Sequence, residues 1–101
     1  MFEKFEPSGI KPAGFDDFWD EVGAELASVP AAEILDPLPL RSTSFATCYE
    51  VYLTSIGPYR LFSYYTVPNG DGPFPAILHA PGYASVVTVA PHEERQRHIV
   101  M

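Results

Sequence analysis

The segment Leu78-His79-Ala80-Pro81-Gly82-Tyr83 is the strongest chemical candidate in this 101-residue chain. An apolar run that breaks sharply at a glycine puts backbone N–H groups beyond the carboxyl end of a strand, where ligands gather in open α/β sheets. Gly82 lets the backbone turn tightly, so the next amide, that of Tyr83, can point at a developing negative charge. That is the geometry of an oxyanion hole. The same pattern also describes a plain turn closing a core strand, with Tyr83 packed on the surface. Both readings stand on the local pattern.

The other candidates are weaker. Ser85, two residues beyond Tyr83, is the one serine of seven near this turn, but sequence places no carboxylate–histidine pair beside it, so it reads as a turn residue. A nucleophile elbow needs Gly-x-Ser-x-Gly. The glycines stand at 9, 14, 23, 57, 70, 72 and 82, and no pair is four apart. His92-Glu93-Glu94-Arg95-Gln96 begins like a His-Glu-x-x-His zinc motif, but Gln96 takes the second histidine position. His98 follows His92 by six residues, on another helix face, so no metal site is expected and the segment reads as a solvated, charged turn. His79 reads as a hydrogen-bonded core histidine, with a catalytic base as the alternative. Cys48, at the start of a strand, reads as buried and inert.

The elements that must position these residues follow from periodicity and turn chemistry. Residues 1–13 read as an extended arm, interrupted by Pro7, Gly9 and Pro12, with Phe2 and Phe5 able to pin it to a surface. Residues 14–30 read as a helix: Phe15, Phe18, Trp19, Val22, Leu26 and Val29 form one apolar stripe, Asp16, Asp17, Asp20 and Glu21 suit its positive end, and Pro30 stops it. Residues 31–47 read as a connection. From residue 48 the sheet begins. Cys48 to Ser55 alternates, Gly57-Pro58 supplies a turn, and Arg60 to Val67 is a second strand, so the two form an antiparallel hairpin. Its aromatics, Tyr49, Tyr52, Phe62, Tyr64 and Tyr65 among them, suit cross-strand pairing better than a sugar-stacking platform. The run Pro75-Ala-Ile-Leu-His-Ala80 suits a strand of a parallel sheet, covered on both faces. His98-Ile-Val-Met101 begins another, and the chain is expected to be cut inside that strand.

Composition narrows the function classes. Six Lys and Arg against thirteen Asp and Glu give a formal charge of −7, and the basic residues are scattered, so no nucleic-acid surface is expected. The longest uncharged stretch, Gly72 to His92, is cut by four prolines, so no continuous apolar run nears the ~20 residues of a membrane span, and the N-terminus has no secretory h-region. One cysteine excludes an internal disulfide. A soluble, cytoplasmic domain is the expectation.

In order along the chain, the helix Phe15-Asp-Asp-Phe-Trp-Asp-Glu21, the strand Tyr49-Glu-Val-Tyr52 running into Leu53-Thr-Ser55, the strand Pro75-Ala-Ile-Leu78 and the Gly82-Tyr83 turn resemble the N-terminal portion of the acetyl xylan esterase / cephalosporin C deacetylase family of α/β-hydrolases. The resemblance spans Phe15 to Tyr83. It implies an α/β fold, a mainly parallel sheet wrapped by helices, and removal of acetyl groups from sugars and related esters by a Ser-His-Asp triad. It puts Tyr83 where the family's tyrosine lends its backbone N–H to the oxyanion hole, with Gly82 and Tyr83 lining the acyl pocket. It implies homo-oligomers of the full-length protein and no metal or organic cofactor. The triad itself is expected beyond Met101. Where the family reads His-Gly-Tyr, this chain reads Pro81-Gly82-Tyr83, which removes one N–H and fixes one φ. Two other readings remain: a small non-catalytic β-rich binding module, or another α/β-hydrolase such as a peptidase or a dienelactone hydrolase.

Overall fold

The hairpin organises the molecule. In the computed structural model, which describes Lys4 and residues 6–101, β2 (Ala46–Thr54) and β3 (Arg60–Pro68) pair antiparallel without a break from Ala46↔Pro68 to Thr54↔Arg60. The turn closes through Ser55 N–H to Tyr59 O at 2.8 Å. Gly57 takes φ +96° there, and a Cβ on it would stand 2.7 Å from the Tyr59 ring, so no larger residue fits without moving the tyrosine. The expected aromatic pairing is present. Tyr49 faces Tyr65 with ring centroids 6.1 Å apart, and Tyr52 faces Phe62 at 5.4 Å, each pair being direct partners in the register.

The sheet has five strands in the order β1-β2-β3-β5-β4. Residues 31–47, read as connection, contain one of them: β1 (Ile34–Pro37) adds antiparallel to β2, with Leu35 opposite Val51, and a 3₁₀ turn follows at Pro39–Arg41. Pro37 hid the strand, yet a proline costs no ladder bond at the end of an edge strand. On the other side β5 (Ile99–Val100) runs antiparallel to β3 and parallel to β4 (Ala76–Ile77). The parallel pairing matches expectation, but in this chain β4 is the sheet edge and not a strand covered on both faces.

Helix α1 (Phe15–Ser28) forms where the apolar period predicts, enters from Gly14 at φ +80° and ends before Pro30. Its stripe is not covered: none of its residues is buried, and Phe18 and Trp19 stack edge-on against each other in the open. The Phe2 and Phe5 contacts expected of the arm lie outside the described residues.

Among the described residues the buried apolar core is Ala46, Cys48, Val51 and Val100, with Thr66 beside Cys48 donating its hydroxyl to the Val100 carbonyl at 3.4 Å. The accessible surface, 8246 Å², exceeds the roughly 5,700 Å² expected of a folded monomer of this mass. The radius of gyration, 18.3 Å, likewise exceeds the roughly 13 Å of a compact 100-residue domain. No helix of the described residues is long and apolar enough to cross a membrane.

Candidate active site

The segment after β4 leaves the sheet under backbone control. The Met101 N–H donates to Ile77 O at 3.0 Å and the His79 N–H to Met101 O at 2.7 Å, so β4 and β5 stay in register up to His79. The chain then breaks at Pro81. Gly82 to Ser85 form a four-residue turn, closed by the Ser85 N–H on Gly82 O at 3.1 Å, with the Ser85 hydroxyl on the same carbonyl and Ala84 at φ +58°. Tyr83 occupies the second position of this turn. Its phenol ring is fully exposed, and among the described residues its N–H donates to no other group.

A cleft of about 260 Å³ opens beside the turn. Phe62, Tyr64 and Thr66 of β3 form one wall, Pro81 and Ser85 to Thr88 the other, and Val100 and Met101 lie between them. Gly82 and Tyr83 do not line it themselves; the residues on either side, Pro81 and Ser85, do. The walls are mostly apolar, which suits a small uncharged acyl group better than a charged ligand.

His79 departs from expectation. It is not a core histidine: its side chain is 55 % exposed, lines the cleft and places Nε2 2.8 Å from Oε2 of Glu94. The reason is the position of β4, a two-residue strand at the edge of the sheet, with no strand beyond it among the described residues. Glu94 had no signal in the sequence, because its partner is fifteen residues away and no periodicity links them.

The model of the acetyl xylan esterase (AXE1) family matches residues 1–96. The chain belongs to that family. The crystal structure of acetyl xylan esterase 1 from Thermoanaerobacterium sp. JW/SL YS485 superposes with a TM-score of 0.76 at 26 % identity, over 88 % of this chain and 29 % of that one. The acetyl xylan esterase family thus accounts for the α/β fold, and this member spans less than a third of the length of the solved relative.

Two further groups of this acetyl xylan esterase family chain lie near the sheet. Helix α2 (His92–Arg95), read as a solvated turn, is solvated on one side only: Arg95 is buried, with Nη1 donating to the Arg41 carbonyl at 2.8 Å and Nε left without a partner among the described residues. His92 meets the Phe45 ring edge-on at 5.7 Å, and His98 sits back on Glu94 O. No group of three or more His, Cys, Asp or Glu among the described residues is gathered to hold a metal.

Cys48 is fully buried, and burial pushes its thiol above the ordinary value of 9.0 despite the Arg95 and Arg41 charges nearby. Two results are expected. Ellman's reagent reacts with Cys48 only as the protein unfolds. Because the folded pKa lies above the unfolded one, this thiol's contribution to stability is complete below pH 9.0 and is lost as pH rises further. A urea midpoint that stays level from pH 8 to pH 10 in wild type, or falls as steeply in Cys48→Ser, contradicts this.

Proposed function

We propose that this chain is the leading portion of a carbohydrate esterase that removes acetyl groups by Ser-His-Asp acyl transfer, the triad lying on polypeptide outside these residues. Family membership over residues 1–96 carries the reading. The solved relative of the same fold is an acetyl xylan esterase, which supports acetylated sugars as the substrate class. In this reading a serine attacks the acetyl carbonyl, the carbonyl oxygen becomes a tetrahedral oxyanion, and collapse expels the sugar hydroxyl. Water then releases acetate from the acyl-enzyme.

The chain's own share is the scaffold and one oxyanion donor, the Tyr83 N–H. Three features support that role. The amide donates to no other group among the described residues, its turn follows β4 between the cleft-lining Pro81 and Ser85, and the Gly82–Ser85 turn holds it by its own hydrogen bonds. Pro81 has no N–H to offer, so from this turn only Gly82, Tyr83 and their successors can donate. The small buried core speaks against a self-sufficient binding module, which needs a core large enough for cooperative folding.

The test is to read the coding DNA past the Met101 codon and assay its whole product. Gly-x-Ser-x-Gly followed by Asp and His is expected, with saturable acetate release from acetylated xylo-oligosaccharides and from p-nitrophenyl acetate. The 101-residue chain alone is expected to match a heat-treated sample. A stop codon directly after Met101, or turnover by the short chain that Ser85→Ala abolishes, overturns the reading.

A further inference from the structure

We infer that His79 and Glu94 are a pair of positioning residues that hold the Gly82–Tyr83 turn against the cleft, an inference that rests on the reading of Tyr83 as an oxyanion donor. The argument starts from what lies between them. Residues 80–91 connect β4 to α2, and within residues 80–90 the described backbone makes one internal hydrogen bond, Ser85 N–H to Gly82 O. That bond shapes the turn but ties it to nothing else. A loop of this length with so few internal bonds has many accessible conformations, and its orientation depends on what closes its ends.

The His79–Glu94 contact closes them. Nε2 of His79 and Oε2 of Glu94 are 2.8 Å apart, fifteen residues apart in sequence. Each partner is anchored behind the contact. His79 is held by its backbone N–H on Met101 O, three residues before Gly82. Glu94 sits on α2, whose Arg95 is buried and donates to the Arg41 carbonyl, and whose His92 packs on Phe45. The side-chain contact therefore joins the edge of the sheet to a helix fastened to its other elements, directly across the base of the loop. With the proton on Nε2, the imidazole donates to the carboxylate and its ring is locked in orientation along the cleft wall. An oxyanion donor acts only when it is held where the charge develops, and a shift of about 1 Å is enough to cost up to ~10²-fold in rate.

The experiment uses the product of the whole reading frame with two readouts. In turnover of p-nitrophenyl acetate, Glu94→Ala lowers kcat by about 10- to 100-fold with KM little changed, the scale of a misplaced donor. His79→Gln, whose amide can still donate to Glu94, keeps more activity than His79→Ala. Tyr83→Pro already removes the donor, so adding Glu94→Ala to it costs nothing further. The second readout needs no activity: with 15N-tyrosine labelling, Glu94→Ala moves the Tyr83 amide resonance while Tyr49 and Tyr52 of the hairpin stay in place. Should Glu94→Ala fail to fold, His79→Ala takes its place. Unmoved Tyr83 resonance in the variant, or wild-type kcat with only a lowered Tm, overturns the inference. A wild-type protein inactive on acetyl esters counts against the functional reading instead, and the resonance then decides the positioning role alone.

Discussion

Tyr83→Pro is expected to lower kcat on acetyl esters by about 10²–10³-fold in the protein that carries the triad, the usual effect of deleting one oxyanion donor. Tyr83→Ala is expected to keep most of the activity. The contrast isolates the backbone, because alanine retains the N–H and proline does not. The exchange is also structurally mild. Tyr83 stands second in a turn closed between Gly82 and Ser85, the position where proline is favoured, and its own N–H supports no bond among the described residues that would be lost. The residue before it is glycine, which tolerates the restriction a following proline imposes. KM should move little, since the oxyanion exists only along the reaction path. Equal kcat for the two variants would remove Tyr83 from the oxyanion hole.

The second large effect lies in the sheet. Val100 is 3 % exposed, faces Thr66 across the β3–β5 pair, and belongs to the strand that joins β3 to β4. Val100→Asp changes shape little but puts a carboxyl group at a position buried in the small apolar core. At neutral pH the expected loss is about 3–5 kcal/mol, as for an uncompensated buried charge, a large part of the ~5–15 kcal/mol that stabilises a typical domain. The loss should shrink as pH falls toward 4, because a buried carboxyl group has a raised pKa and becomes neutral sooner. Leu40→Asp, at a 99 % exposed position, is the control and should stay within about 0.5 kcal/mol of wild type. Urea midpoints for the three proteins check this; equal midpoints for wild type and Val100→Asp would show that β5 is not part of the stabilising core.

How far the fold and the site could be read from sequence differed by the range of the interactions involved. The helix at Phe15–Ser28 and the hairpin were legible because their signals are local: a 3.6-residue stripe bounded by Gly14 and Pro30, and two alternating runs around Gly57-Pro58. β1 was not, since four residues ending in Pro37 carry no period, and it exists because β2 offers a free edge. The burial of Arg95 and the exposure of His79 were both misread for one reason. Burial depends on which element lies opposite, and neither the edge position of β4 nor the flank beneath α2 is written in nearby residues. At the candidate site, the Gly82-Tyr83 turn could be located from its glycine and its place after an apolar run. The His79–Glu94 contact could not, because it is made by two segments that only the finished sheet brings together.

The strand order has a consequence for the sequence of assembly. β5 is the last strand along the chain, yet it sits between β3 and β4, pairing Val100 with Thr66 on one side and with Ile77 on the other. Until those residues arrive, β4 has no neighbour among the described strands, and the amides and carbonyls it shares with β5 stay with water. The hairpin can zip from its own turn, but β4 waits for a partner more than twenty residues downstream. The loop bearing Tyr83 hangs from β4, so its place on the sheet is fixed only after the hairpin has formed. A nascent chain that has made everything up to Arg97 already holds every residue of the loop and its local Gly82–Ser85 turn, but not the β4–β5 pairing that seats the loop on the sheet.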